Sequence, residues 1–151
     1  MRGVAFSDLH CSVARSLDVV GERWTLLVLR DAFQGKRRFE EFSRSLPVAR
    51  NVLTDRLRTL VEHGVLERRQ YEEHPPRYEY RLTPKGMDLY PVIVALIQWG
   101  DRYLAGADGP PVDLVHRDCG GAVGAEAVCR GCGNPVHARD AQAEYRMHPS
   151  P

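Results

Sequence analysis

KRRFEEFSRSLPVARNVLTDRLRTLVEHG, residues 36–64, is the stretch whose periodicity decides the fold. The basic triplet Lys36-Arg37-Arg38 precedes a short helix expected over Phe39–Leu46. Pro47 cannot continue that helix, having neither the N–H nor the room. A second helix is expected from about Ala49 to His63, stopped by Gly64. At about 100° per residue, Leu53, Leu57 and Leu60 share one face of it, with Val61 flanking. Asn51, Asp55, Arg58 and Glu62 point away, and Arg50 and Thr54 lie on the flanks. Arg56 borders the core face and is a candidate for an internal salt bridge.

Working outward, Ser7 or Asp8 can cap a first helix that runs to about Val20, with Leu9, Val13, Leu17 and Val20 at helical spacing. Gly21 ends it. The next helix, about Glu22 to Phe33, carries Trp24, Leu26, Leu27, Val28, Leu29 and Ala32 and reads as the central core helix. Beyond Gly64, residues 65–71 and 77–82 read as two strands joined by Glu72-Glu73-His74-Pro75-Pro76. Thr83, with Pro84 behind it, opens a last helix reaching about Leu104. Its apolar residues cover more than one face, more than a small monomer can bury, so a partner subunit is the expected cover. Pro91 should kink this helix or shorten its first turns.

This order gives a mainly α chain with a small β wing, that of a winged helix-turn-helix. In such folds the helix after the turn enters the major groove, and the wing reaches the backbone or minor groove. Arg50, Asn51, Thr54 and Arg58 have the chemistry to read base edges: Arg for guanine, Asn for adenine, Thr for a methyl group or phosphate. Lys36, Arg37, Arg38 and Arg77 suit phosphate positioning, and Arg77, at the wing tip, also suits the minor groove. Any exposed helix carries residues of these types, so the bland reading is a solvated face.

The whole chain, 151 residues with a formal net charge of +1, is too neutral to coat nucleic acid or an anionic membrane by bulk charge. Counted by segment, residues 35–69 hold nine basic against five acidic residues, a local excess of four. That excess falls on the turn, the helix after it and the first wing strand. No run of about 18 apolar residues spans a membrane. The N-terminus also lacks the apolar core of a signal peptide, so a cytoplasmic location without membrane partners is expected. No nucleophile–base–orienter arrangement, phosphate-cradling glycine loop or paired catalytic carboxylates is visible, and no enzymatic activity is expected.

Several of these segments resemble the HxlR-type transcription regulators, relatives of the MarR group. The resemblance rests on Cys11-Ser12-Val13-Ala14, on Gly21 to Arg30 (GERWTLLVLR) and on Arg38-Phe39-Glu40-Glu41-Phe42. It continues through Leu53 to Leu60 (LTDRLRTL) and Tyr80 to Gly86 (YRLTPKG), and covers about residues 8–104. It implies a homodimer built through the first and last helices, acting on double-stranded DNA at a pseudo-palindromic operator, usually as a repressor and sometimes as an activator. Members similar to this chain often keep a cysteine at the position of Cys11, and some use it to sense oxidants or electrophiles. A helix N-terminus favours a thiolate, and His10 stands beside it, so the place suits such a role. The alternative is a small buried hydrophobe at the dimer interface. A small-molecule effector is a further expectation, in a cavity that Trp24, Trp99 and Tyr103 could line.

The chain after residue 105 has a different composition. Residues 106–111 (GADGPP) read as a linker from the 1–105 domain to a Cys- and Gly-rich segment, 112–138, and a tail, 139–151. His116-x2-Cys119 and Cys129-x2-Cys132 have the spacing of a zinc ribbon, with one structural zinc per chain as the expected cofactor. His137 competes with His116 for the fourth position. The alternatives are three reduced thiols in a disordered tail or a Cys129–Cys132 disulfide. The leading functional expectation is a homodimeric, sequence-specific transcription regulator that responds to an electrophile, an oxidant or a small ligand. The alternative is a zinc-ribbon and winged-helix module that binds protein without specific DNA binding.

Overall fold

The computed structural model describes residues 11–144 and residue 146, and among them the elements follow the expected order. Helix α1 spans Ser12–Val20, with Cys11 in extended backbone as its N-cap. The expected caps Ser7 and Asp8, with Leu9 and His10, lie outside the described residues. Helix α2 (Arg23–Phe33) is the core helix: Val28 and Leu29 are fully buried. Helix α3 (Phe39–Ser45) ends before Pro47, and α4 (Arg50–Glu62) packs its Leu53, Leu57 and Leu60 inward, all fully buried. Burial of each such leucine contributes about 2–3 kcal/mol, which fixes the face α4 turns to solvent. Gly64 leaves α4 at φ +68, a conformation open to glycine.

Strands β1 (Leu66–Glu73) and β2 (Pro76–Leu82) form an antiparallel hairpin whose turn is only residues 74 and 75, tighter than the sequence suggests. Leu66 pairs with Leu82 at its root and Gln70 with Tyr78, and the register then shifts past Tyr71. The segment before α3 joins the wing: the Tyr80 N–H donates to the Arg37 carbonyl at 2.7 Å, and Arg38 bridges Glu79. Thr83 caps α5 (Pro84–Met87) by accepting the Gly86 N–H at 3.1 Å, and Lys85 Nζ donates to the His63 carbonyl at 2.7 Å. A Cβ on Gly86 would stand 2.2 Å from the Val65 carbonyl oxygen, so only glycine fits there.

The expected single last helix is two. Pro91 offers no N–H to residue 87 and its ring crowds that carbonyl, so the chain turns at residues 88 and 89 before α6 (Tyr90–Leu104) begins. The chain forms two compact units, one up to Ile93 and one from Val94 onward, with the boundary inside α6. The second unit joins the C-terminal part of α6 to the Cys-rich segment. Within it the Ala125 N–H donates to Gln98 Oε1 at 2.7 Å. No helix among the described residues is long and apolar enough to cross a membrane.

Candidate nucleic-acid interface

The outward face of α4 carries Asn51, Thr54 and Arg58, all exposed. Thr54 Oγ1 donates to the Arg50 carbonyl at 2.8 Å, which leaves its methyl group free for contact. Arg58 is held along the helix by Asp55 at 2.8 Å and Glu62 at 3.8 Å, both exposed pairs of the kind worth about 0–1 kcal/mol. Arg50 reaches back across the turn to Glu40 on α3, and its guanidinium stacks over Phe39 at 4.6 Å. The hydrogen bond from Arg50 holds the Glu40 carboxyl below its ordinary range, and Glu40 in turn raises Arg50. Arg56 has the internal role that its place beside the core face suggests. Its Nη1 lies 3.6 Å from the exposed Glu22, and its Nε is buried with no hydrogen-bond partner among the described residues.

The basic triplet is divided in its duties. Lys36 Nζ lies 3.1 Å from Gln34 Oε1 and 3.5 Å from the fully buried Asp31, whose carboxylate also takes Arg30 at 2.8 Å. Lys36 is thereby tied to the end of α2. The Arg37 and Arg38 N–H groups both donate to Glu41 Oε2 at 2.8 Å, holding the Glu41 carboxyl below its ordinary range and fixing the start of α3. The Arg37 side chain is exposed, and Arg38 lies over the Tyr71 ring at 4.6 Å. At the wing, Arg77 pairs with Glu72 at 3.2 Å.

Three residues that periodicity did not single out complete this face. A groove between α3 and the wing is lined by Arg38, Arg44, Arg77 and the Phe39, Tyr71 and Tyr78 rings, with the carboxylates of Glu40 and Glu41 also on its wall. Arg44 and Tyr71 belong to it, and Arg68 stacks on Tyr78 at 3.6 Å within the wing. The available signal was the Arg and Tyr content of the two strands, which the hairpin turns into one cation–π pair, Arg68 on Tyr78, while Tyr71 takes Arg38 from the segment before α3.

The model of the HxlR-like helix-turn-helix family matches residues 19–108. The chain belongs to the HxlR-like family. An uncharacterized HTH-type transcriptional regulator of Mycobacterium tuberculosis, Rv3095, is 49% identical over 133 residues, covering 88% of this chain and 84% of that protein. The crystal structure of PA1607 is similar with a TM-score of 0.86 at 44% identity, over 95% of this chain and all of that one. The redox regulator HypR in its reduced form has a TM-score of 0.58 at 35% identity, over 61% of this chain and 92% of that one. This HxlR-like chain is a DNA-binding transcription regulator with a winged helix-turn-helix. At 95% coverage, the likeness to PA1607 takes in the Cys-rich segment as well as the winged helix.

The HxlR-like winged helix leaves apolar faces open. On α6, Val92, Leu96, Trp99 and Tyr103 recur at helical spacing and are each 44–62% exposed. On α1, Val13 and Leu17 are exposed one turn apart. Trp99 and Tyr103, in ring contact at 5.6 Å, line an open cavity with Gln98, Ala125 and Glu126, whereas Trp24 belongs to the other unit and lies under Arg23. Cys11 is a free, exposed thiol at the α1 N-cap.

In the Cys-rich segment the structure forms two pairs. His116 Nδ1 lies 3.3 Å from Cys119 Sγ, which also accepts the Gly121 N–H at 3.4 Å. Hydrogen bonds from the Cys132 and Gly131 N–H groups, and from the Cys132 thiol, hold the Cys129 thiol below its ordinary range. His137 opens a separate turn, its N–H bonded to Asp140 Oδ2 at 3.0 Å. Among the described residues no three His, Cys, Asp or Glu side chains converge closely enough to hold a metal ion.

Proposed function

We propose that this regulator works as a homodimer that reads a pseudo-palindromic operator and represses the genes beside it. The carrying observation is the division of α4: one face is locked into the core by three fully buried leucines, and the other offers Asn51, Thr54 and Arg58 to solvent. Asn51 and Arg58 are the base readers, with Arg50 released from Glu40 on contact with DNA. Arg37, Arg38 and Arg77 neutralise phosphates, while Lys36, already paired with Asp31, mainly shapes the loop. The uncovered apolar stripe of α6 and the α1 pair support dimerisation, which would also double the local basic excess.

A competition titration tests this reading. Wild-type protein should prefer a duplex from its own upstream region over a scrambled duplex by at least about a thousandfold. Asn51→Ala combined with Arg58→Ala should erase that preference. Unchanged binding in the double variant, or uniform tolerance of charge reversal at Arg37, Arg50 and Arg58, would favour a protein-binding module instead.

Effector control through Cys11 is a second part of the proposal. It is supported by the exposed Cys11 thiol and by the likeness to HypR, a redox regulator solved in both reduced and oxidized forms. Diamide or a quinone should release wild-type protein from DNA and leave Cys11→Ser bound. Full release of the variant would remove Cys11 from the response.

A further inference from the structure

Residues 114–123 and 127–136 fold into the same turn, thirteen positions apart. In the first, the His116 N–H donates to the Gly121 carbonyl at 2.8 Å, Gly120 donates back to His116 at 2.8 Å, and Val123 donates to Leu114 at 2.9 Å. In the second, Cys129 donates to Asn134 at 2.9 Å, Gly133 back to Cys129 at 2.7 Å, and Val136 to Ala127 at 2.8 Å. The bridges Val115–Ala122 and Val128–Pro135 match, as do the positive φ angles of Gly120 (+69) and Gly133 (+76). Each turn therefore presents two potential metal donors at its first and fourth positions, in contact with each other: His116 with Cys119, and Cys129 with Cys132.

Apolar burial does not hold this segment together. No described residue after Val94 is buried, and Val112, Val115 and Val128 are more than half exposed. Ordering each residue costs backbone entropy, which such an exposed surface cannot offset. Two duplicated turns with nitrogen and sulfur donors, in a segment without a core, call for a cross-link. We propose that His116, Cys119, Cys129 and Cys132 jointly bind one zinc-class divalent cation that folds the C-terminal unit.

Three thiolates and one imidazole suit zinc, and exclude magnesium or calcium, which take oxygen ligands. Four protein ligands close a tetrahedral shell, so the ion is structural and holds no open position for chemistry. The two turns stand as separate pairs, and the metal–ligand bonds supply the free energy to join them. His116 is the fourth ligand because it already contacts Cys119 within the first of the two matching turns, whereas His137 lies beyond the second turn, which ends at residue 136.

The test uses the full chain, purified under reducing conditions, stripped of metal and titrated with Zn2+ or Co2+. One metal ion per chain should survive dialysis, and cobalt should give the intense d–d and sulfur-to-metal bands of a tetrahedral thiolate site. Cys119→Ser and Cys132→Ser should lose the site. His116→Ala should weaken it at least about tenfold, whereas Cys11→Ser and His137→Ala should leave it intact. Wild-type protein with no retained metal and no tetrahedral cobalt spectrum would overturn the proposal, and this result needs no variant to fold. So would full stoichiometry in Cys119→Ser, or a Cys129–Cys132 disulfide that survives the reducing purification.

Discussion

Arg50 on the recognition helix and Glu40 on the helix before it form a two-point ion pair, with Nη2 2.8 Å from Oε1 and Nη1 3.3 Å from Oε2. Both side chains are more than half exposed, so solvent screens the pair, and a phosphate or guanine can displace the carboxylate. If Arg50 reads DNA as proposed, Glu40 competes with the DNA for it and should suppress contact with arbitrary sequences. Glu40→Gln is expected to tighten DNA binding roughly two- to tenfold, most at low salt. Fluorescence anisotropy on operator and scrambled duplexes checks this, with the larger gain expected on the scrambled one.

Arg37 and Asn51 should separate positioning from reading. Arg37→Ala is expected to weaken binding about equally across sequences and to reduce the slope of log K against log salt by about 1. Asn51→Ala is expected to cost about 1–3 kcal/mol at one base pair, roughly five- to hundredfold, and to relax preference there alone. Binding to a panel of single-base operator variants at several salt concentrations distinguishes the two.

The fold itself is most sensitive at Gly86, where a Cβ would meet the Val65 carbonyl oxygen at 2.2 Å. Gly86→Ala must push α5 away from the root of the wing. A loss of about 2–4 kcal/mol is expected, seen as a fall in Tm of roughly 10–20 °C by calorimetry. Gly100→Ala, where an added Cβ meets nothing within 4 Å, is the control and should be neutral or stabilising.

Much of this was legible from periodicity. The leucine stripe of α4 and the apolar run of α2 appear where their spacing puts them, because burial of one face sets the helix rotation. What stayed hidden depends on contacts between distant residues. Nothing in the sequence joins Arg50 to Glu40, ten positions earlier, until the turn between α3 and α4 is folded. Asp31 reads as an ordinary helical carboxylate, yet it is fully buried and ties Arg30 and Lys36 to the end of α2. The Pro91 break was visible as a disturbance, but its outcome as a two-residue turn was not. The Cys and His spacing pointed to the two tail turns, but their equivalence is written in backbone hydrogen bonds.

Leu96 tests the proposed subunit interface. It lies in the middle of the exposed α6 stripe, and a charge buried there would cost several kcal/mol. Leu96→Glu should weaken self-association at least about a hundredfold and leave a monomer in sedimentation equilibrium, with helix content unchanged. A dimer of undiminished affinity would place the interface elsewhere.

Glu41 links stability to pH with a defined sign. Its carboxylate accepts the Arg37 and Arg38 N–H groups, which holds it below its ordinary value of 4.5 in the folded chain. The stabilisation is therefore fully present above the unfolded value and is lost as pH falls through the lower, folded one. Glu41→Gln should be less stable than wild type in urea at pH 7, and the gap should narrow below about pH 4.5.

The proposed function rests on a symmetric pair of recognition helices reading two half-sites. Hydroxyl-radical footprinting of the purified protein on its own upstream region measures this most directly. The expected result is two protected half-sites related by a pseudo-twofold axis and spaced about one helical turn apart, about 34–36 Å. Both should vanish together in the Asn51→Ala, Arg58→Ala variant. A single unsymmetric footprint, or protection that persists in that variant, would contradict the account.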